Sequence, residues 1–185
     1  MNEVLKAIAG RRSIRHYRGE QIKDAELKAI LEAGLQAPSG HDTQPWHFTV
    51  VQKRELIDEI SAGSKMAMRK SGVDWIVKLG EAEKYNIFYN APTIVLLAAK
   101  KDALSPVADV SAALQNMVIA AESLGIGSCW MGFATFYFLD AQNVTKIGIP
   151  EGYEVLYGMT LGYKPVGWKA APRQRKYEDF YRVIK

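Results

Sequence analysis

The sequence predicts a single α+β domain. Stretches with helical spacing of apolar residues alternate with β-branched and aromatic runs along the chain. Hydrophobic residues make up 48% of it, enough for a packed core. No internal repeat, low-complexity tract or linker divides the 185 residues, a length that suits one domain of roughly 100–200 residues.

The elements follow in order. Val4, Leu5 and Ile8 form a short helical face that ends near Gly10. Asp24 can cap a second helix, in which Leu27, Ile30, Leu31 and Leu35 recur at helical spacing until Pro38 stops it. Trp46 to Gln52 is rich in β-branched and aromatic residues and reads as a strand. Glu55 to Ala62 predicts a short helix. Residues 64–90 mix Met66, Met68, Trp75, Ile76, Tyr85, Phe88 and Tyr89 with many charges, and their helical spacing is imperfect. Thr93 to Lys100 is a continuous apolar run after Pro92, hence a buried strand. Val107 to Leu124 carries the strongest helical pattern, with Gly125 as its stop. Gly127 to Phe133 reads as a short strand or strand-like turn, and Leu139 to Ile147 as a helix closed by Gly148 and Pro150. Tyr153 to Tyr163 alternates as a strand. The tail from Lys164 has no clear period until a candidate terminal helix.

Several function classes drop out. The single Cys129 excludes an intramolecular disulfide framework and reads as a small buried residue rather than a nucleophile, because no histidine lies near it in sequence. The longest apolar run falls far short of the ~20 residues of a membrane-spanning helix. Glu3 comes early and the arginines late, the reverse of a secretory signal, so the expected compartment is the cytoplasm. His16, His41 and His47 lack metal-ligand spacing. No Gly-x-Ser-x-Gly elbow, P-loop or Gly-x-Gly-x-x-Gly is present. The net charge of +4 mildly favours anionic ligands, and a nucleic-acid-binding module is the competing use of the basic residues.

Two segments carry the chemistry. Arg11-Arg12-Ser13-Ile14-Arg15 places three guanidiniums and a hydroxyl just past the first helix, a donor set suited to a phosphate or another planar anion. Ala37-Pro38-Ser39-Gly40 through Gln44-Pro45-Trp46 is a polar turn running into a strand, with Trp46 a candidate core anchor. A second basic group, Arg173-Gln174-Arg175-Lys176, lies near the other end. The plainer reading makes the first arginines a helix C-terminal cap and the second group a solvated tail.

Taken together, Arg-Arg-Ser-x-Arg, Pro-Ser…Gln-Pro-Trp and the later Gly127-Ser128-Cys129-Trp130-Met131-Gly132 resemble the FMN-dependent nitroreductase family over nearly the whole chain. The resemblance implies a central, mostly antiparallel sheet flanked by helices, in an intertwined homodimer with FMN at the subunit interface. It implies that Arg11 and Ser13 hold the flavin phosphate, with Arg12 beside them, and that Arg15 faces the flavin N1 and C2 carbonyl. A fixed cation there would stabilise the charge of the reduced ring. Arg173 and Arg175 match a basic pair that closes the phosphate site, with Lys176 and Lys164 as further candidates. Pro38, Ser39, Gly40 and Gln44 match a loop that reaches the flavin from the neighbouring subunit. Trp130, Met131 and Gly132 match the segment whose backbone amide meets flavin N5; where better-known members have a carboxylate-Gly pair, this chain reads Gly132-Phe133. The implied reaction passes hydride from NADH or NADPH through N5 to a nitroaromatic, quinone or enone by a ping-pong mechanism, with no catalytic side chain. Residues 64–90 are expected to cover the substrate pocket, and residues 164–185 to reach the partner subunit. Relatives specialised for reductive dehalogenation or flavin breakdown supply the alternative.

Overall fold

The computed structural model describes residues 1–175 and 180–185. Its elements are α1 (Glu3–Gly10), α2 (Asp24–Leu35), β1 (Trp46–Val51), α3 (Arg54–Met68), α4 (Asp74–Glu81), β2 (Thr93–Lys100), α5 (Pro106–Ser123), β3 (Ile126–Met131), α6 (Ala141–Ile147) and β4 (Tyr153–Tyr163), with short 3-10 turns at Gly40–Asp42 and Phe133–Leu139. The four strands form one sheet in the order β1-β2-β4-β3, and all three pairings are antiparallel.

β2 lies inside the sheet, which explains its unbroken apolar run. Side chains alternate across a strand, and both faces of this one are covered. Val95, Leu97 and Ala99 pack with Ile30 of α2 and Val110, Leu114, Met117 and Ala121 of α5. Ile94, Leu96 and Ala98 pack with Ile57 and Ile60 of α3, and with Ile87, Phe88 and Tyr137. The two layers make one core on either side of the sheet.

Several boundaries differ from the sequence reading. Lys23, not Asp24, is the cap of α2, and the Glu26 carboxylate accepts from the Lys23 N–H at 2.9 Å. α3 runs to Met68 because Ser61, Ser64 and Met68 continue its buried face. The segment containing Leu139 is a 3-10 turn; α6 starts after Asp140, whose side chain caps it by accepting from Gln142 N–H at 2.9 Å. The strand read at Gly127 to Phe133 runs Ile126–Met131. Residues 164–175 and 180–185 contain no helix, and the rest of the candidate terminal helix lies outside the described residues. No helix among the described residues is long and apolar enough to cross a membrane.

The fold matters to function through two placements. The segment after α1 docks on the outer edge of β3: Ile14 N–H donates to Ser128 C=O at 2.9 Å, and Ser13 bridges Ser128 in parallel. Tyr17 secures this segment, donating to the Ile14 carbonyl at 2.6 Å and lying 2.7 Å from Thr160 Oγ1. The second placement is along α5. Its first turn holds the polar loop, where Asp109 Oδ1 accepts from Gly40 N–H at 3.0 Å. Its last turn holds the α1 end, where Glu122 Oε1 would lie 3.4 Å from a Cβ built on Gly10. At 1.5 Å per residue, Asp109 and Glu122 are roughly 20 Å apart.

Gly127 permits the first placement. A Cβ there would sit 3.0–3.1 Å from three atoms of Ile14, a side chain only 3% exposed. Gly127→Ala is expected to destabilise the protein by about 1–3 kcal/mol through overpacking, read as a lower urea midpoint. An unchanged midpoint would show that Ile14 is free to yield.

Candidate functional site

The site is built where the chain leaves α1. Arg11 has left the helix (φ −53°, ψ 132°), so the following residues extend toward β3. Arg12 turns back. Its Nη1 lies 2.9 Å from the carbonyls of Ala9 and Gly10 and 3.1 Å from that of Arg11. These are orphan acceptors at a helix end, where a cation is also favoured by the helix dipole. The Nε and Nη2 of the same guanidinium reach Ala171 C=O at 3.3 and 3.0 Å, tying down a segment 159 residues away. The capping role therefore applies to Arg12, which spends its donors on backbone.

That tie brings the basic tail to the first cluster. Ile8, Ala9, Arg12, Arg173 and Arg175 line one hollow of about 370 Å³. Arg173 titrates below its ordinary value, first through desolvation and then through the fields of Arg175, Arg12 and Arg11. The guanidiniums of Arg175, Arg12 and Arg11 thus lie close enough to act on that of Arg173, four in all. Among the described residues, none of the four pairs with a carboxylate. Lys164 is committed elsewhere: it pairs with Glu122 at 2.8 Å, with both side chains about 15% exposed, and lies 4.8 Å from the centre of the Trp168 ring. Lys176 lies outside the described residues.

A second hollow, of about 340 Å³, lies beside Ser13, Ile14, Arg15 and His16 and is walled by Pro165 and Trp168. On the far side of Arg15 stand tyrosines. Arg15 Nε donates to Tyr89 Oη at 3.2 Å, and its guanidinium carbon is 5.7 Å from the Tyr89 ring centre. The Tyr85 ring meets Tyr89 edge-on at 6.1 Å. Cys129 belongs to this neighbourhood. Burial pushes its thiol up, while Arg15, a hydrogen bond with Ser13 and then Arg11 pull it down. Desolvation likewise raises the Tyr17 and Tyr85 phenols.

The remaining candidates divide. Met131 is 3% exposed and turned into the core, which leaves only its backbone available. Trp130 is half-exposed against Tyr157, with ring centres 5.0 Å apart. Open space lies beside Gly132, where an added Cβ would meet no atom within 4 Å. Pro38, Ser39, Gly40 and Gln44 do not join the arginines within one chain. Their loop precedes β1, at the opposite sheet edge from Ser13 and at the other end of α5. It is internally braced: Gln44 N–H donates to Ser39 Oγ at 2.9 Å and Gln44 Nε2 to Asp42 Oδ1 at 3.1 Å.

Sequence reasoning did not assign Tyr85 and Tyr89 to the site. Their only signal was an aromatic pair in a segment without a period.

The nitroreductase family model matches residues 8–163, which includes the arginine segment, the sheet and α5. This chain belongs to the nitroreductase family. A protein of Archaeoglobus fulgidus named as an NADH dehydrogenase/NAD(P)H nitroreductase is 34% identical over 99% of this chain and 92% of its own length. A nitroreductase crystallised with bound FMN from Bacteroides fragilis is 36% identical and covers 100% of both chains with a TM-score of 0.92. A second, also with bound FMN, from Desulfitobacterium hafniense, is 29% identical over 100% of both chains with a TM-score of 0.88.

Arg12→Ala removes the carbonyl cap and the tail anchor together. The expected result is a loss of about 1–3 kcal/mol in urea unfolding, with faster tryptic cleavage after Lys169 and Arg173. Wild-type stability and cleavage would rule out the tether.

Proposed function

We propose that this protein is an FMN-dependent oxidoreductase that uses NADH or NADPH to reduce nitroaromatic, quinone or enone acceptors in ping-pong fashion. One observation carries the reading: four guanidiniums from the two ends of the sequence gather with no carboxylate paired to them among the described residues, next to a hollow walled by Trp168. A terminal phosphate with nearly two negative charges relieves that crowding, and a flat ring fits beside it. The name of the Archaeoglobus relative and the FMN in the Bacteroides structure support the same cofactor and donor.

In this reading Arg11, Arg173 and Arg175 neutralise the phosphate and Ser13 donates to it. Arg12 holds the tail in place so that Arg173 and Arg175 face it. Arg15 sits at the pyrimidine edge, where its charge favours the reduced ring. The backbone at Gly132 has the room to approach N5. FMN, when bound, supplies the hydride acceptor and donor; the chain supplies position, charge and exclusion of water. No side chain here is needed as acid or nucleophile.

The site is completed by a second copy. The loop of Pro38, Ser39, Gly40 and Gln44 lies too far from Arg11 to share a ligand within one chain, whereas a two-fold partner can present its own loop. Apolar surface supports that partner: Val4, Leu5 and Ile8 of α1 are 47–62% exposed, and Leu35, Leu104, Val107 and Leu124 are also exposed. The described end of the tail, with Phe180, Tyr181, Val183 and Ile184 exposed, has the composition of a segment that covers a neighbour. Residues 64–90 provide Tyr85 and Tyr89 behind Arg15, and Trp75, which packs on Phe133 with ring centres 5.8 Å apart. A cytoplasmic location suits the free Cys129.

The purified protein is expected to be yellow, and the flavin absorbance to bleach on anaerobic addition of NADH or NADPH and return with a quinone. A colourless protein that does not take up added FMN would refute the proposal. Arg11→Ala is expected to weaken FMN binding roughly ten- to a hundredfold, since a charge-assisted hydrogen bond contributes ~1.5–3 kcal/mol. Fluorescence titration measures it, and an unchanged affinity would remove Arg11 from the phosphate site.

A further inference from the structure

We infer that Tyr89 is a positioning residue for Arg15, setting where that guanidinium's charge falls on the flavin ring; the inference rests on the FMN reading above. Tyr89 sits at φ +53° and Asn90 at φ +56°, two consecutive non-glycine residues in the left-handed region. Such backbone persists only where its surroundings hold it. Here they do. Ile87 and Phe88 are fully buried, and Ile87 N–H donates to Ser61 Oγ at 3.1 Å. Phe88 N–H donates to Asn86 Oδ1 at 2.9 Å, and Tyr89 N–H to Asn86 C=O at 3.0 Å. On α3, Arg54 Nη2 donates to Asn90 Oδ1 at 2.8 Å, and Arg54 is itself held by Asp58 at 2.8 Å.

The product of this fastening is a phenol aimed at Arg15. Tyr89 takes the Nε hydrogen at 3.2 Å and sets its ring 5.7 Å from the guanidinium carbon. Engaging Nε fixes the plane of the group and leaves the two outer nitrogens for a ligand edge. A mobile arginine beside a ring would spread its charge over several positions. A fixed one acts on the reducible end, so Tyr89 favours the reduced flavin through Arg15 without touching it.

Tyr89→Phe keeps the ring and removes the acceptor. The variant is expected to bind oxidised FMN within about twofold of wild type, because the phosphate contacts are intact. Reduced FMN should bind about tenfold less tightly, which lowers the two-electron midpoint potential by about 30 mV. In an Arg15→Gln background the same substitution should cause no further shift. Arg54→Gln loosens the turn from α3 and should lower the potential in the same direction, which keeps the test valid if Tyr89→Phe folds poorly. An unchanged potential in FMN-loaded Tyr89→Phe, or in Arg54→Gln when the first variant is unfolded, overturns the inference and leaves the FMN assignment standing. A full shift that persists without Arg15 also overturns it, since Tyr89 would then act on the ring itself. Failure of the wild-type protein to bind FMN overturns both.

Discussion

Mutual repulsion among Arg11, Arg12, Arg173 and Arg175 is the constraint on which this site turns. Bringing cations from the two ends of a chain into one hollow costs free energy; desolvation first, and the neighbouring arginines after it, hold Arg173 below its ordinary value. The fold sustains the arrangement by giving Arg12 to backbone carbonyls at both places, so one of the four guanidiniums acts as a strut for the others. Such a cluster is stable only when the rest of the domain is rigid enough to hold it, and it is relieved by an anion.

The sheet and α5 supply that rigidity. Docking Ile14 on Ser128 adds a short rung to the outer edge of β3, which places Ser13 and Arg15 on a backbone already fixed by the core. α5 spans the same layer and separates the two polar segments by its length, with Asp109 at one end and Glu122 at the other. The same geometry keeps the loop of Pro38 to Gln44 away from the arginines within one chain.

Much of this was legible in the residues. β2 and α5 declared themselves because burial on both faces and a long apolar stripe leave strong patterns. The arginine segment was legible because clustered cations beside a hydroxyl have few structural uses. The structure separates the two uses that the sequence left combined: the Arg12 guanidinium bonds the last carbonyls of the helix, while that of Arg15 turns to Tyr89. The turn at Tyr89 and Asn90 left no such trace. It depends on left-handed backbone at two ordinary residues, held by Arg54, Asp58 and Ser61 from a different helix, and tertiary contacts of that kind have no period. The boundary at Met68 was missed for a related reason, since serines on a buried helix face weaken the apolar pattern.

The central claim is that a phosphate, not the ring, is the principal anchor of the ligand. Titration of the flavin-free protein with FMN and with riboflavin tests it most directly, because the two differ only in that group. Riboflavin is expected to bind at least roughly a hundredfold more weakly, and FMN binding alone should weaken steeply with salt. Equal affinity for both, with no salt dependence, would contradict the convergence of the arginines on one anion.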